Sequence, residues 1–291
     1  MRLHWDWLSP VVTVPYVPTI GPVHPGTLRP ELFADVLAVA GTGRFLPHDK
    51  DQRWAATKDE TVLVDAIIHR PGRTVIPTLV RRGRATVKLH HYASTAPDLT
   101  ELRDVAAKLQ AAHGAEAARI IWFQTEASAV PVGASCTRIQ LKAFDHPEPR
   151  QATAVRDLRD LQPTVAATFA EFSHQMAADG FAFLWSRFRA GALDGPILTI
   201  TAEERVVGAI GPMDIMKDSE GTARLLPQYF GVLPDQRGHG YGRQLWRAAM
   251  YWGQSCGAAY QLLQTELDGA SDHLCQAEGL DSLGYVLTSA A

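Results

Sequence analysis

Arg237, Gly238, Gly240, Gly242 and Arg243 crowd into seven consecutive positions, between an apolar, aromatic run at 225–233 and an amphipathic run from 243 onward. Glycine turns the backbone tightly and leaves its N–H groups open, and arginine adds positive charge, so this composition suits a phosphate or pyrophosphate. Pro234 stops the preceding run, since it has no N–H to give to a strand ladder. Beyond the glycines, Leu245, Ala248, Ala249, Trp252 and Cys256 recur at the spacing of one buried helix face. The glycine loop therefore opens a helix, whose unpaired N–H groups and dipole favour an anion.

Spacing separates the anion-binding motifs that compete for this stretch. A P-loop requires Gly-Lys followed by Ser or Thr, whereas Gly242 precedes Arg243 and Gln244. A dinucleotide fingerprint requires G-x-G-x-x-G, and here the glycines run G-x-G-x-G with none following until Gly253. What fits is R-x-x-G-x-G, formed by Arg237, Gly240 and Gly242, after Val232 in a V-x-P strand end. With strand, proline, arginine, glycines and helix in this order, the stretch strongly resembles the coenzyme A pyrophosphate loop of the GNAT N-acyltransferase superfamily. The bland competitor is a glycine-rich turn that joins a strand to a helix.

The resemblance implies transfer of an acyl group from acetyl-CoA, or another acyl-CoA, to an amine of a small molecule. It implies that the backbone of Val232 and Leu233 hydrogen-bonds the acyl carbonyl and the pantetheine amide. The N–H groups of Gly238, His239, Gly240, Tyr241, Gly242 and Arg243 would hold the pyrophosphate, with charge from Arg237. Tyr229, three residues before Val232, is a candidate for contact with amine or sulfur, and a core aromatic otherwise. Glu266 is a candidate proton acceptor through water, and a solvated strand end otherwise. In the family a later helix often reads N-x-x-A-x-x-L-Y-x-x-x-G-F. The corresponding residues are Asp268, Ser271, Leu274, Cys275, Gly279 and Leu280, of which Leu274 and Gly279 match. Cys275 stands where many relatives carry the tyrosine that protonates the departing thiolate. It is either a weak acid or, as free cysteine usually is, a small buried hydrophobe. Two functions follow: an acyl-CoA-dependent N-acyltransferase, or a GNAT fold that binds acyl-CoA as a sensor or structural module without transferring it.

The surrounding elements have to position these residues. In the second half a strand at 151–159, helices at 161–178 and 181–188, a hairpin at 196–213, the strand at 225–233, the loop helix, a strand at 260–266, a helix at 271–278 and a last strand at 283–288 give the order the resemblance implies. The class is mixed α/β (α+β), with a mostly antiparallel central sheet flanked by helices. In the first half a helix at 27–40 precedes three apolar runs at 61–69, 74–80 and 85–91, separated by Pro71-Gly72 and Arg82-Gly83, which read as an antiparallel meander. Asp98 and Glu101 resemble a capping box that opens a helix ending at Gly114, and strands follow at 118–124 and 136–144. The polar, proline-bearing 145–149 reads as a linker, placing an N-terminal α/β domain at 1–145 and a GNAT domain at 150–291. Gln124-Thr125-Glu126 and Gln264-Thr265-Glu266 each end a helix-strand unit, which makes a tandem GNAT-like duplication plausible. The first half lacks R-x-x-G-x-G, so its copy is not expected to bind coenzyme A.

Composition narrows the partners. The 291 residues are 46% hydrophobic and 20% charged, values of a globular rather than a disordered chain. A net charge of −3 argues against nucleic acid as main partner. Residues 150–291 carry 11 basic against 16 acidic side chains, a weak bias toward a cationic amine. No apolar run is long enough to span a bilayer, and Asp6 interrupts the place where a signal peptide carries its apolar run, so a cytoplasmic protein is expected. Cys136, Cys256 and Cys275 are too few and scattered for a disulfide framework or a four-ligand zinc site. His90, His91 and His113 suggest a metal, yet neighbours on a strand face opposite sides and no His-Glu-x-x-His spacing exists, so none is expected.

Overall fold

Proline, glycine and side-chain caps set most element boundaries in the computed structural model, which describes residues 4–127, 130–148 and 154–291. The N-terminal segment forms a short ladder of β1 (Tyr16–Val17) and β2 (Gly21–Pro22), followed by α1 (Pro30–Ala38). β3 (Glu60–Val62) and β4 (Ile68–Arg70) are separated by a 3-10 turn, and β5 (Arg73–Val80), β6 (Thr86–Ala93), α2 (Leu99–His113), β7 (Ala117–Gln124) and β8 (Ala134–Ala143) complete the first part. Then come β9 (Val155–Asp157), α3 (Pro163–Ala167), α4 (Phe169–Gln175) and α5 (Phe181–Arg189). β10 (Leu198–Ala202), β11 (Arg205–Gly211), β12 (Ile215–Lys217), β13 (Ala223–Leu225) and β14 (Tyr229–Val232) lead to α6 (Tyr241–Ser255). The chain ends with β15 (Tyr260–Glu266), α7 (Ala270–Ala277) and β16 (Asp281–Ala290). Among the described residues no helix is long and apolar enough to cross a membrane.

The chain divides into two compact units, 1–141 with 262–291, and 142–261. The first part of the sequence thus ends close to the expected linker. The last thirty residues, however, pack with the N-terminal part rather than with the segment that precedes them. Position 149 of the expected linker and positions 151–153 of the strand expected at 151–159 lie outside the described residues, and the strand described there is β9.

In the first unit the strands run β15–β8–β16–β7–β6–β5–β3, with β4 also on β5. β6 and β7 are parallel and α2 connects them; β5–β6, β7–β16 and β8–β16 are antiparallel. The meander is therefore present, with its first run broken into β3 and β4. Pro77 explains the break: its carbonyl accepts from Leu63 N–H, so its missing N–H faces the gap where β3 stops and β4 has not begun. Leu102 and Ala106 of α2 pack on Val75, Val87, Leu89, Ile120, Trp122 and Leu287 of the sheet. The strand that follows β7 in the chain, β8, lies beside β15, and the strand that follows β15, β16, lies beside β7. The last strands of the two helix-strand units are thereby exchanged.

Burial of two histidines gives this unit a pH dependence. His90 is buried and donates Nδ1–H to the Ile76 carbonyl at 3.1 Å. Desolvation, only partly opposed by Glu60, lowers its pKa from 6.5 to about 4. His91, also buried, is lowered to about 4 by desolvation and then by Arg73. An unfolded chain takes up these protons as pH falls through 6.5, whereas the folded one takes them up only near 4, so stability is full above 6.5 and declines between the two values. Urea midpoints measured from about pH 7 down to about pH 5 should fall steadily, and His90→Gln should flatten the decline. A midpoint independent of pH over that range would contradict the assignment.

The second unit has a four-stranded antiparallel sheet, β14–β11–β10–β9, and a short ladder in which β13 pairs antiparallel with β12 and parallel with the start of β15. α6 packs on β10 and β11, with Leu245, Trp246, Ala249, Met250 and Gly253 buried. That face is rotated from the expected one and leaves Cys256 exposed. Gly253 is required there, because a Cβ would sit 2.7 Å from Leu225 Cδ2. The helix expected over 161–178 is broken at Thr168, whose hydroxyl donates to the Val165 carbonyl at 2.7 Å and accepts from Val206 N–H at 2.9 Å. A tertiary bond to β11 thus overrides local helix propensity.

Candidate active site

The run at 225–233, expected as one strand, is two. β13 ends at Leu225, paired with Gln261 of β15, and β14 begins at Tyr229, paired with Gly211 of β11. Over 226–228 the chain exchanges one set of neighbours for another, and Pro227 has no N–H to give to a ladder. The result is a fork, with β14 at the edge of its sheet.

Strand parity fixes which backbone groups that edge presents. Leu233 N–H donates to the Val207 carbonyl at 2.9 Å, so the 229, 231 and 233 positions face β11, and Phe230 and Val232 face the open edge. The Leu233 carbonyl accepts from Gln236 N–H at 2.9 Å. The Leu233 N–H is thus committed to β11, and Phe230 has the outward parity that Leu233 lacks. The Val232 carbonyl accepts from Arg237 Nε at 3.3 Å, which ties the arginine back to the strand and leaves the Val232 N–H directed outward.

The glycine loop follows directly. Pro234–Gln236 makes a 3-10 turn and Arg237 is extended. Gly238 and Gly240 have φ of +85° and +78°, values that L side chains rarely adopt, and a Cβ at either would meet nothing within 4 Å. The space over both is open. Gly242 differs: it lies within α6, and its Cβ would make ordinary contact with Phe230 Cζ at 3.4 Å. His239 donates Nδ1–H to the Gln236 carbonyl at 3.2 Å and stacks on Tyr241, with centroids 5.7 Å apart. Gly240 is the N-cap of α6, so the capping residue itself has no side chain to occupy that end, and the first turn holds no acid.

The start of α2 behaves in the opposite way. Asp98 accepts from Thr100 N–H at 2.9 Å and Glu101 N–H at 3.3 Å. Glu101 does not complete the capping box; its carboxylate is held by Arg73 at 2.5 and 2.8 Å, a pairing that lowers its pKa to about 2. α2 therefore begins with its N–H groups occupied and two carboxylates in place. β6 and β7 also pair continuously from Thr86–Ala117 to His91–Trp122, with no fork.

The expected catalytic residues are divided between the two units. Tyr229 shares the unit of the loop; its half-buried ring lies against Gly180, where a Cβ would approach it to 2.3 Å, and near Phe181 and Phe183, with centroids 6.4 and 6.3 Å away. Gly231 is on the same face, where a Cβ would sit 2.7 Å from Met176 Cε and 3.0 Å from Phe181 Cε2, so those side chains would have to shift to admit one. Glu266 and Cys275 belong to the other unit. Glu266 is exposed. Cys275 is only 2% exposed, and desolvation, reinforced by Asp272 and Glu278, pushes its thiol up to about 12. Its setting is that of a small buried hydrophobe. Among the described residues no group of three or more His, Cys, Asp or Glu side chains is arranged to hold a metal ion. Phe230, Gln228 and Gln261 emerge only from the structure; residue parity across β14 was the signal for the first.

Comparison with known proteins agrees with this geometry. The model of the acetyltransferase (GNAT) family matches residues 154–276. No curated protein matches. Among solved structures, a GCN5-related N-acetyltransferase from Sphaerobacter thermophilus is similar at 11% identity and a TM-score of 0.50, over 89% of this chain and 84% of that one. A tandem GNAT protein from the clavulanic acid biosynthesis pathway is similar at 13% identity and TM-score 0.46, over 89% and 94%. A GCN5-related N-acetyltransferase from Kribbella flavida follows at 14% and 0.42, over 75% and 86%. The residues matched by the family model, 154–276, include the forked strand, its open edge and the glycine-rich helix start, so this region resembles the GNAT acetyltransferase family.

Proposed function

We propose that the protein is an N-acyltransferase that moves an acyl group from acetyl-CoA, or another acyl-CoA, to an amine of a small molecule. The observation that carries this is the succession, in one unit, of an open strand edge with Val232 N–H outward and a glycine-rich helix start whose capping residue has no side chain. Acyl-CoA supplies an activated thioester and a pyrophosphate. Gly238 to Arg243 offer backbone N–H groups to the pyrophosphate in open space, and Arg237, although bonded to Val232, adds positive charge. The outward N–H groups of Phe230 and Val232 are disposed to bind an extended amide and to polarise the acyl carbonyl. Tyr229, next to them in sequence, is the side chain we assign to proton handling, with Glu266 as a second candidate. We further propose that residues 1–145 act as a degenerate copy without a coenzyme A site, a reading supported by the capped start of α2 and the unforked pairing of β6 with β7.

The second reading is an acyl-CoA-binding module without transfer, favoured by the burial of Cys275 at the position of the family's leaving-group acid. Thiol release from acetyl-CoA, followed across a panel of amines, separates the two. For the enzyme, Tyr229→Phe should lower turnover about 100-fold, with acetyl-CoA affinity within about twofold of wild type. For the module, wild type binds acetyl-CoA and releases thiol with no amine in the panel.

A further inference from the structure

Two glutamine side chains bridge the strand fork. Gln261 is completely buried, and its Nε2 donates to Gln228 Oε1 at 2.7 Å. Gln228 Nε2 in turn donates to the Leu226 carbonyl. That second bond fixes the orientation of both amides: with its nitrogen on Leu226, Gln228 presents oxygen to Gln261, which must answer with nitrogen. Gln261 Oε1 is then left buried, meeting no donor among the described residues. Gln261 pairs with Leu225, the final residue of β13, and Gln228 immediately precedes β14. The bridge therefore spans the three residues over which the chain changes partners.

A buried acceptor without a donor is unfavourable, and an apolar side chain of similar size at 261 would fill the same space without that penalty. Stability alone does not account for the amide; its bond across the fork does. We propose that Gln228 and Gln261 are positioning residues that fix the point at which β14 departs, and so set the placement of the Phe230 and Val232 N–H groups against an acyl carbonyl. The inference rests on the acyl-CoA reading above. It distinguishes ligands that differ only at that carbonyl, because the pyrophosphate loop lies beyond β14 and has its own supports.

Calorimetric titration of acetyl-CoA and of CoA into the full chain tests it. Wild type should prefer acetyl-CoA. Gln261→Leu should weaken acetyl-CoA by about tenfold and CoA by no more than about twofold, the worth of one mispositioned hydrogen bond. Gln228→Met should do the same, and the double variant should be no worse than either, since the two side chains form one bridge. Gln228→Glu keeps an acceptor for Gln261 Nε2 but loses the donor to the Leu226 carbonyl, so it should weaken acetyl-CoA less than Gln228→Met does, a partial rescue that mere space-filling would not produce. Equal loss for both ligands, no loss, or additive losses would overturn the proposal. Should Gln261→Leu fail to fold, the half-buried 228 position carries the comparison alone. Binding of neither ligand by wild type would overturn the acyl-CoA reading itself, and the bridge's role with it.

Discussion

Gly240→Asp removes acetyl-CoA binding while the protein stays folded. Gly240 is the N-cap of α6 at φ +78°, and a Cβ there meets nothing within 4 Å, so an aspartate fits without collision. Its penalty is the left-handed backbone, about 1–2 kcal/mol and least severe for Asp and Asn. Part of that is offset, because its carboxylate lies beside the open N–H groups of the first turn, as Asp98 does at α2. For a pyrophosphate the same carboxylate is adverse twice, competing for the donors and repelling the charge. Affinity should fall by at least about 100-fold, roughly 3 kcal/mol, with the melting temperature down by only a few degrees. Gly242→Ala is the contrasting variant. Gly242 is in ordinary helical backbone and its Cβ would make normal contact with Phe230, so binding should change by less than about threefold. Calorimetry on the three proteins decides the matter, and unchanged binding by Gly240→Asp would mean that the loop is only a turn.

That contrast also measures how far the sequence could be read. Three alternating glycines mark the loop in sequence, but only Gly238 and Gly240 carry the left-handed backbone; Gly242 looks equivalent there because spacing does not encode φ. Strand, proline, glycines and helix were legible since each depends on local chemistry: a missing N–H at Pro234, conformational freedom at the glycines, helical periodicity from Leu245. The fork was not, because apolar and aromatic residues continue through 225–233, and what divides them is a change of partner from β15 to β11. The inward direction of the Leu233 N–H was hidden for the same reason, since it depends on register with β11. Tertiary bonds also hid the break at Thr168 and the second role of Glu101. The exchange of β8 and β16 lies furthest from local signals: both read correctly as strands, while their neighbours are set by long-range pairing alone.

Asp272→Ala strongly destabilises the first unit. The carboxylate is 1% exposed and accepts from five donors: Arg138 Nε at 2.9 Å and Nη2 at 3.1 Å, Thr265 hydroxyl at 2.8 Å, Gln140 Nε2 at 3.0 Å and Asp268 N–H at 3.2 Å. Arg138 is on β8 and Asp272 on α7, so the pair joins segments 134 residues apart in the chain. Removing the carboxylate leaves a largely buried guanidinium with only the Tyr285 hydroxyl at 3.1 Å and the face of its ring, and leaves buried Gln140 one acceptor short. Losing one member of such a pair costs about 3–5 kcal/mol, well above a surface ion pair. Asp272→Asn keeps one acceptor and the side-chain shape, and should lose less than alanine, about 1–3 kcal/mol. Urea denaturation should rank wild type, asparagine and alanine in that order, with the loss concentrated in whichever transition reports Trp122, a core residue of this unit. A loss under about 1 kcal/mol for alanine would mean that pairing of β16 with β7 and β8 holds the C-terminal segment without the carboxylate. The expected outcome instead makes Asp272 the electrostatic anchor of the last thirty residues, which explains how a segment that follows the glycine loop in sequence stays fixed to strands made far earlier in the chain.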